Sequence, residues 1–258
     1  MSDPHVELLR YKFVSVNEYD GFDSASPMTF TADGFDIRLE GGVLEAHPLA
    51  HYDSLDEAMN ALGPVLTAWE AHARLERAGR EIRFEFMDAR TIDRATGRPF
   101  AAAFSTRVFG FGVAAITTVA NTTYPAPPTD FRTDAVLEAL LTRLGDLDNG
   151  RMSITTAANW VVTKAEAEYG GGRRGSLLRQ TAAKALGLEY KILDELGRLA
   201  SQNDPSVGRK AKGPEIPLTD NEKAWMRAAI VLIAQQVATM NAGVTLRTKT
   251  LTDLPNYP

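Results

Sequence analysis

The sequence predicts an α+β protein: a strand-rich N-terminal half with one kinked helix, followed by an all-helical C-terminal bundle. Short runs in which apolar and polar residues alternate predominate before the proline-rich segment 124–128, and apolar residues recur at helical spacing after it. Apolar residues make up 44% of the 258 residues, which is enough to bury a hydrophobic core in one large domain or two small ones.

The N-terminal half contains several strand patterns separated by turns. Residues 6–16 mix apolar and polar side chains over the length of a strand, and residues 17–27 form a turn-rich loop. Residues 35–39 alternate strictly, and Gly41-Gly42 precedes a return strand at 43–46, so we predict a hairpin here. A further strand is predicted at 82–86, and residues 104–119, apolar on both faces, are predicted to be a longer strand or a bent pair.

One helix interrupts these strands. The Ser54 side chain is placed to accept from the backbone N–H of Glu57, and Glu57 is placed to reach back, which is a capping box. Apolar residues then recur at helical spacing as far as Trp69, and Gly79 ends the segment. Pro64 lies inside the pattern, so we expect a kink or a break there.

A cluster of prolines marks the boundary between the halves. We predict an antiparallel sheet plus helix at 1–125 and a helical bundle with an extended C-terminal tail at 131–258. Four apolar stripes predict helices in the second half before the polar loop 203–217. Thr219 and Glu222 form another capping box, and 224–238 is apolar almost all round, so the last helix is the buried centre of the bundle or an oligomer contact.

Composition excludes several classes of protein. The chain has no cysteine, which rules out disulfides and thiol catalysis, and its net charge of −5 does not favour nucleic acid or anionic lipid as a partner of the whole molecule. The first ten residues lack the pattern of a signal peptide, and the apolar run 228–238 is too short to span a bilayer. We therefore expect a cytoplasmic protein without membrane contact.

Histidines suggest a metal site only at first sight. His47 and His51 have the spacing that places two imidazoles on one helix face, with Asp53 adjacent and His72 further along the chain. Pro48 removes His47 from the helical region, so the spacing loses its meaning. We interpret these residues as surface or loop histidines and predict no metal and no cofactor.

Three carboxylates are the alternative candidates for chemistry. Glu85, Asp88 and Asp93 lie close together in the sequence, and two acids at a suitable separation can divide the roles of general acid and base. Glu85 is the outward residue of an amphipathic strand, however, and the two aspartates alternate with arginines. A solvated charged face is the favoured interpretation.

A basic segment gives the candidate anion or nucleic-acid site. Residues 170–176 resemble a phosphate loop but lack the required lysine and the preceding strand, so a helix end and a turn is the simpler reading. Residues 180–196 match the apolar-and-glycine skeleton of a helix-turn-helix, although the second helix exposes acidic residues. Between 171 and 213 there are nine Lys/Arg and four Asp/Glu. The candidate binding residues are Arg173, Arg174, Arg209, Lys210 and Lys212.

The C-terminal half resembles a group of uncharacterised bacterial proteins. The shared features are an Arg-Lys-Ala loop at 209–211, the capped Trp225 helix and the tail Leu-Thr-Asp-Leu-Pro at 251–255. This resemblance implies a fold but no activity. The helical half also distantly resembles HEPN-type domains, some of which are ribonucleases that use an arginine and a histidine. No histidine follows His72, so that chemistry is not carried over.

No catalytic motif emerges, and the catalytic residues, if there are any, are unknown. The sequence favours a non-enzymatic cytosolic bacterial protein that acts through protein–protein contacts and forms a homo-oligomer through its last helix. Two alternatives stay open. One is a nucleic-acid-associated protein of a defence or regulatory system that uses the basic segment 171–213, and the other is a hydrolase with an unrecognised carboxylate site.

Overall fold

The structure is a computed structural model that describes residues 3–15, 20–22, 25–76, 81–96, 98–104, 119–120, 123–201 and 217–255. The chain divides into two compact units, Met1–Pro128 and Thr129–Pro258. This division lies inside the stretch 126–130 that the sequence leaves between the predicted sheet and the predicted bundle. Strands occupy the first unit and most helices the second, so the predicted α+β class is confirmed.

The first unit contains all of the strands and one helix among the described residues. Its elements are β1 (Pro4–Ser15), β2 (Asp20–Gly21), β3 (Met28–Ala32), β4 (Phe35–Glu40), β5 (Val43–Pro48), α1 (Leu55–Glu76), β6 (Ile82–Asp93), β7 (Arg98–Phe104) and β8 (Val119–Ala120). The hairpin predicted around Gly41-Gly42 is formed by β4 and β5. Residues 105–118, the interior of the predicted strand 104–119, lie outside the described residues.

Six of these strands form one sheet. Their order is β3-β4-β5-β1-β6-β7, and each neighbouring pair is antiparallel. β2 and β8 form a separate parallel pair. β3 and β7 therefore lie at the two edges of the six-stranded sheet among the described residues.

Alternation decides which face of the sheet is buried. In β4 every second side chain is buried and the intervening ones are exposed, as expected where only one face is covered. The covering element is α1, which packs against β1 and β6 and runs without interruption through Pro64. Trp69 lies fully buried in this core, and its indole N–H donates to the carbonyl of Pro125 at 3.1 Å.

The second unit is helical. Its helices are α2 (Ala135–Asp148), α3 (Ile154–Tyr169), α4 (Ser176–Ala185), α5 (Tyr190–Ala200) and α6 (Asp220–Asn241), followed by a short 3-10 helix at Leu251–Asp253. The predicted capping box at Thr219 and Glu222 is present at the start of α6. In the part of the chain that the structure describes, no helix has the length and apolarity needed to cross a membrane.

α6 is the buried centre of the bundle, which confirms the first interpretation of its apolar sequence. It contacts α2, α3 and α5, and its side chains are buried in every turn from Trp225 to Ala238. Trp225 itself is 0% exposed. The apolar surface that suggested an oligomer contact is therefore covered by helices of the same chain.

Candidate protein-contact site at the sheet edge

The hairpin that joins β3 to β4 determines which backbone groups of β3 face outward. Ala32 pairs with Phe35, so the turn consists of the two residues Asp33 and Gly34, with φ of 42° and 85°. Positive φ at both positions defines a type I′ turn, in which the flanking residues exchange both backbone hydrogen bonds. Hydrogen-bonded pairs recur at every second residue, so the N–H and C=O groups of Thr29 and Thr31 point away from β4. We call this outward row the β3 edge.

The side chains of β3 offer little protection to this edge. The strand is five residues long and contains no charged residue and no proline, which are two of the devices by which exposed edges avoid pairing. Met28 and Phe30 are half-buried and pack against the core, and the Phe30 ring meets Trp69 edge-on at 5.2 Å. Within the described residues, no strand pairs with the β3 edge.

The outer face beside the β3 edge is polar. Thr29 and Thr31 are exposed there, and the Thr31 hydroxyl donates to a carboxylate oxygen of Asp36 at 2.7 Å. A shallow depression of about 330 Å³ lies over this face. Its lining residues are Thr29, Phe30, Thr31, Asp36, Ile37, Arg38, Glu45 and His47.

Charges of alternating sign cross the same outer face. Thr29 pairs with Arg38, which pairs with Glu45, and the row continues through Arg10 to Asp88. The Arg10 guanidinium contacts the Asp88 carboxylate at 2.8 Å. Opposite charges on neighbouring strands stabilise a sheet modestly. Pairing between strands therefore accounts for these side chains without a catalytic role.

The three carboxylates considered as an alternative site lie in surroundings that are typical of a charged face. Glu85 is exposed, and Asp88 belongs to the charged row with Arg10. Asp93 accepts from the backbone N–H groups of Asp3 and Ala95, both at 3.0 Å, and these bonds lower the pKa of its carboxyl. The favoured interpretation as a charged face agrees with this arrangement.

The structure separates His47 from His51 and brings His51 to His5 instead. His47 is exposed on β5 opposite Asp36. The His51 ring stacks on the His5 ring with centroids 5.0 Å apart and an interplanar angle of 17°. His5 has no local sequence signal that links it to His51, because it lies 46 positions away and only the pairing of β1 brings the two together.

Both nitrogens of His51 have polar neighbours. Its Nε2 lies 2.7 Å from an oxygen of Asp53 and 3.4 Å from one of Asp3, and its Nδ1 lies 3.1 Å from an Arg94 guanidinium nitrogen. Because arginine only donates, Nδ1 accepts from Arg94 when the ring is neutral, and the proton of that neutral form is on Nε2. Among the described residues, no three His, Asp or Glu side chains are arranged to hold a metal ion.

His5 is the more perturbed of the two stacked histidines. Partial burial lowers the pKa of His5, and positive charge on His51 and Arg94 lowers it further, against the opposing effect of Glu7 and Asp3. The backbone N–H of Tyr52 points at the His5 Nδ1 at 3.5 Å. This cluster ties the start of β1 to the segment before α1, which is a structural role.

The candidate anion-binding residues are only partly described. Arg173 and Arg174 are exposed in the turn between α3 and α4. Gly170 ends α3 through a bond to the carbonyl of Glu166, and the Leu178 side chain packs so closely that a β-carbon on Gly170 would lie 2.3 Å from it. The loop is thus a helix end and a turn, as the simpler reading predicts. Arg209, Lys210 and Lys212 lie outside the described residues.

The helix-turn-helix pattern is a structural corner whose second helix is covered at its start. Gly187 has φ of 58° and provides the predicted tight turn between α4 and α5. The C-terminal tail pairs with this corner, because Lys249 N–H donates to Gly187 O at 2.8 Å and Glu189 N–H donates to Lys249 O at 2.7 Å. Recognition helices read DNA with their N-terminal residues, and here the tail lies against that end.

Buried hydrogen bonds fix the tail in this position. The side-chain amide of Gln236, which is 4% exposed, lies within hydrogen-bond distance of the carbonyls of Leu186, Gly187 and Arg247. On the other side of the corner, Arg179 binds Glu166 at 2.7 Å and Asp194 at 3.1 Å. These polar groups hold the corner together and leave Arg179 engaged with carboxylates instead of free for phosphate.

Sequence reasoning missed the β3 edge altogether. Residues 28–32 were not assigned to a strand, although they precede Asp33-Gly34, a dipeptide that is a strong hairpin signal between apolar runs. The sheet order, which places β3 outermost, has no comparable signal in the sequence.

Comparison of the chain with protein-family models, curated proteins and solved structures finds no match. The resemblance to a bacterial protein group therefore stays a prediction, and any function is argued from geometry alone.

Proposed function

We propose that this chain is a non-enzymatic cytosolic bacterial protein that acts through protein–protein contacts and forms homo-oligomers through the β3 edge. The β3 edge is the observation that supports this proposal. It offers outward backbone groups at Thr29 and Thr31 on an uncharged strand, which is the template used in strand addition. The proposal moves the contact from the last helix to the sheet, because helices of the same chain already cover α6.

Two copies of β3 fit each other around a two-fold axis. In antiparallel pairing, Thr29 of one copy faces Thr31 of the other and exchanges both backbone hydrogen bonds with it. Phe30 then faces its own counterpart on the inner side, which extends the apolar face past the half-buried Met28 and Phe30. No like charges meet, since β3 has none. A self-complementary patch of this kind is what a two-fold dimer requires.

Sedimentation velocity of the full chain tests the proposal. We expect a dimer with a dissociation constant of about 1–100 μM, since a five-residue edge buries less surface than standard interfaces. Thr31→Pro removes one outward N–H at a position where edge strands tolerate proline, and should leave a folded monomer. Thr31→Val is the matched control, because it keeps the backbone donor and should remain dimeric.

A second variant protects the test against a folding defect in the proline variant. Thr29→Lys combined with Thr31→Lys changes only exposed side chains, yet it places lysines opposite each other across the two-fold axis, so it should also be monomeric. A wild type that stays monomeric at about 1 mM, roughly ten times the weakest expected dissociation constant, would contradict the proposal. So would a folded Thr31→Pro variant that still dimerises.

A further inference from the structure

We infer that the β3 edge also receives an extended segment of another protein with the order basic–apolar–acidic, and that this segment competes with the second copy. This inference rests on the proposed function, because it uses the same backbone groups of Thr29 and Thr31. It goes further in naming the chemistry of the partner. That chemistry comes from the charged side chains directly behind the β3 edge.

A cation is favoured in the row of Thr31. Asp36 is the residue of β4 opposite Thr31, and the Thr31 hydroxyl bonds its carboxylate at 2.7 Å, so the acid leans toward the edge. An added strand would lie about 4.8 Å outside β3. A lysine or arginine there, opposite Thr31, has a stem long enough to cross the short threonine and place its charge beside Asp36.

An anion is favoured in the neighbouring outer row. Arg38 of β4 lies opposite Thr29 and is 55% exposed in its side chain. It forms an ion pair with Glu40 on its own strand, an exposed contact that an incoming carboxylate can share. A glutamate opposite Thr29 is therefore separated from the Arg38 guanidinium only by a threonine, and guanidinium groups can bind carboxylates through two hydrogen bonds.

The residue between these two faces the core side. It lies opposite Phe30, which is half-buried and borders the apolar cluster around Trp69, so an apolar side chain is favoured. All neighbouring strands of the six-stranded sheet are antiparallel, and we assign the same direction to the added strand. Read from its N-terminus, the segment is then basic opposite Thr31, apolar opposite Phe30 and acidic opposite Thr29.

A second copy of the chain lacks this pattern. Across the two-fold axis, Thr29 of the second copy stands opposite Thr31, so Asp36 receives a hydroxyl neighbour instead of a cation. The partner segment thus adds two ion pairs that self-pairing does not supply. Exposed pairs of this kind contribute modestly, which corresponds to about two- to fivefold in affinity for each pair.

Fluorescence anisotropy with two labelled peptides of equal composition tests the inference. The probe is Thr-Val-Lys-Val-Glu-Val-Thr and the control exchanges Lys and Glu. We expect the probe to bind the full chain at least about fivefold more tightly than the control, and the difference to shrink at about 1 M salt. The probe should also shift the wild-type dimer toward monomer in sedimentation, whereas the control should do so less.

Exchanging the charges on the protein gives a sharper test than exchanging them on the peptide alone. Asp36→Lys combined with Arg38→Glu should invert the preference between the two peptides, whatever the absolute affinity. Equal binding of both peptides by the wild type would overturn the charge inference. If that binding is still lost in Thr31→Pro, strand addition at the β3 edge stands without the charge order.

The two proposals fail in distinguishable ways. A dimer that is sensitive to Thr31→Pro, together with no binding of either peptide, overturns the partner inference and supports the proposed function. Absence of both dimerisation and peptide binding overturns both. Peptide binding that Thr31→Pro leaves unchanged places the peptide elsewhere and also overturns the partner inference.

Discussion

α6 and β3 differ both in the apolarity of their sequences and in how far neighbouring elements cover them. α6 is apolar almost all round between 224 and 238, and α2, α3 and α5 cover it, so that Trp225 is 0% exposed. β3 is a short strand with two exposed threonines, and the sheet order leaves its outer side open among the described residues. The comparison teaches that apolarity in a sequence indicates a need for cover, whereas an interface depends on whether the topology supplies that cover.

The physical reason lies in the different demands of helices and strands. A helix satisfies its own backbone hydrogen bonds, so only its side chains need partners, and a bundle of helices can provide them. An outermost strand always has a row of backbone donors and acceptors on one side. Further along the same sheet, the backbone N–H of Phe84 in β6 is satisfied by the Glu70 side chain at 2.7 Å. Thr29 and Thr31 have no such cover from the described residues.

Much of the fold could be predicted because it depends on local patterns. Alternation located β4 and β5, capping residues located the start of α6, and Gly187 located the corner between α4 and α5. The division of the chain at 128 lies between the predicted units 1–125 and 131–258, whose exact bounds stay a prediction. β3 was missed although its five residues alternate between apolar and polar and Asp33-Gly34 follows them as a hairpin signal.

The candidate site could not be predicted, since it depends on non-local pairing. The outermost position of β3 follows from the return of β5 to β1, which no local pattern encodes. The stacking of His5 on His51 likewise depends on β1 pairing with β6 and approaching the segment before α1. The strict alternation of residues 35–39 places Asp36 and Arg38 together on one face of the strand, which is all that alternation can provide.

The largest effect is expected from removing the Trp225 side chain at the centre of the bundle. The same change tests whether α6 is an oligomer interface. Trp225→Ala should lower the free energy of unfolding by about 3–5 kcal/mol, the usual cost of truncating a buried aromatic side chain. Denaturant unfolding measures this loss. Sedimentation of the folded variant should still give the wild-type assembly, because the burial is intramolecular. A variant that turns monomeric while remaining folded would return the oligomer contact to α6.

Acidification should affect two parts of the sheet unit differently, namely the His5 cluster and the β3 edge. Burial is the main reason that the pKa of His5 is below 6.5, with charge on His51 and Arg94 adding to it. A lowered pKa means that the folded state resists protonation, so this contribution to stability is complete above pH 6.5. It is lost progressively as the pH falls from 6.5 toward the folded pKa. Below pH 6.5 the cluster of His5 and His51 at the start of β1 should therefore become less stable, while dimerisation through β3 should persist.

The measurement for His5 compares how the unfolding free energy depends on pH in the wild type and in the variant His5→Gln. Burial raises the pKa of Glu70, so the folded state holds its proton more tightly and this group favours folding as the pH falls from neutral. The effect of Glu70 is opposite in sign to that of His5. It is the same in the wild type and in His5→Gln, so it cancels when the two are subtracted. The unfolding free energy of the wild type minus that of His5→Gln should therefore decrease on acidification below pH 6.5. A difference that is constant with pH would contradict a lowered pKa at His5.

The smallest effect is expected at the two arginines of the turn between α3 and α4. Arg173 and Arg174 are exposed, and the loop is shaped by Gly170 and Leu178 instead. Arg173→Ala combined with Arg174→Ala should change the unfolding free energy by less than about 0.5 kcal/mol for each residue, as at other surface positions. The assembly state should not change either, because the proposed contact is in the sheet unit.

The same double variant also tests the nucleic-acid alternative, which would give the helical unit an external role of its own. The start of α5 is covered by the tail and Arg179 is engaged with Glu166 and Asp194, so we expect little retention of the wild type on heparin. Two phosphate contacts would give a shallow slope, no steeper than about −2, in a plot of log affinity against log salt concentration. Strong, salt-sensitive retention that disappears in the double variant would show that the helical unit binds polyanions through this turn. The helical unit would then have an external binding surface of its own, and the β3 edge, which is unpaired among the described residues, would not be the sole candidate contact of this protein.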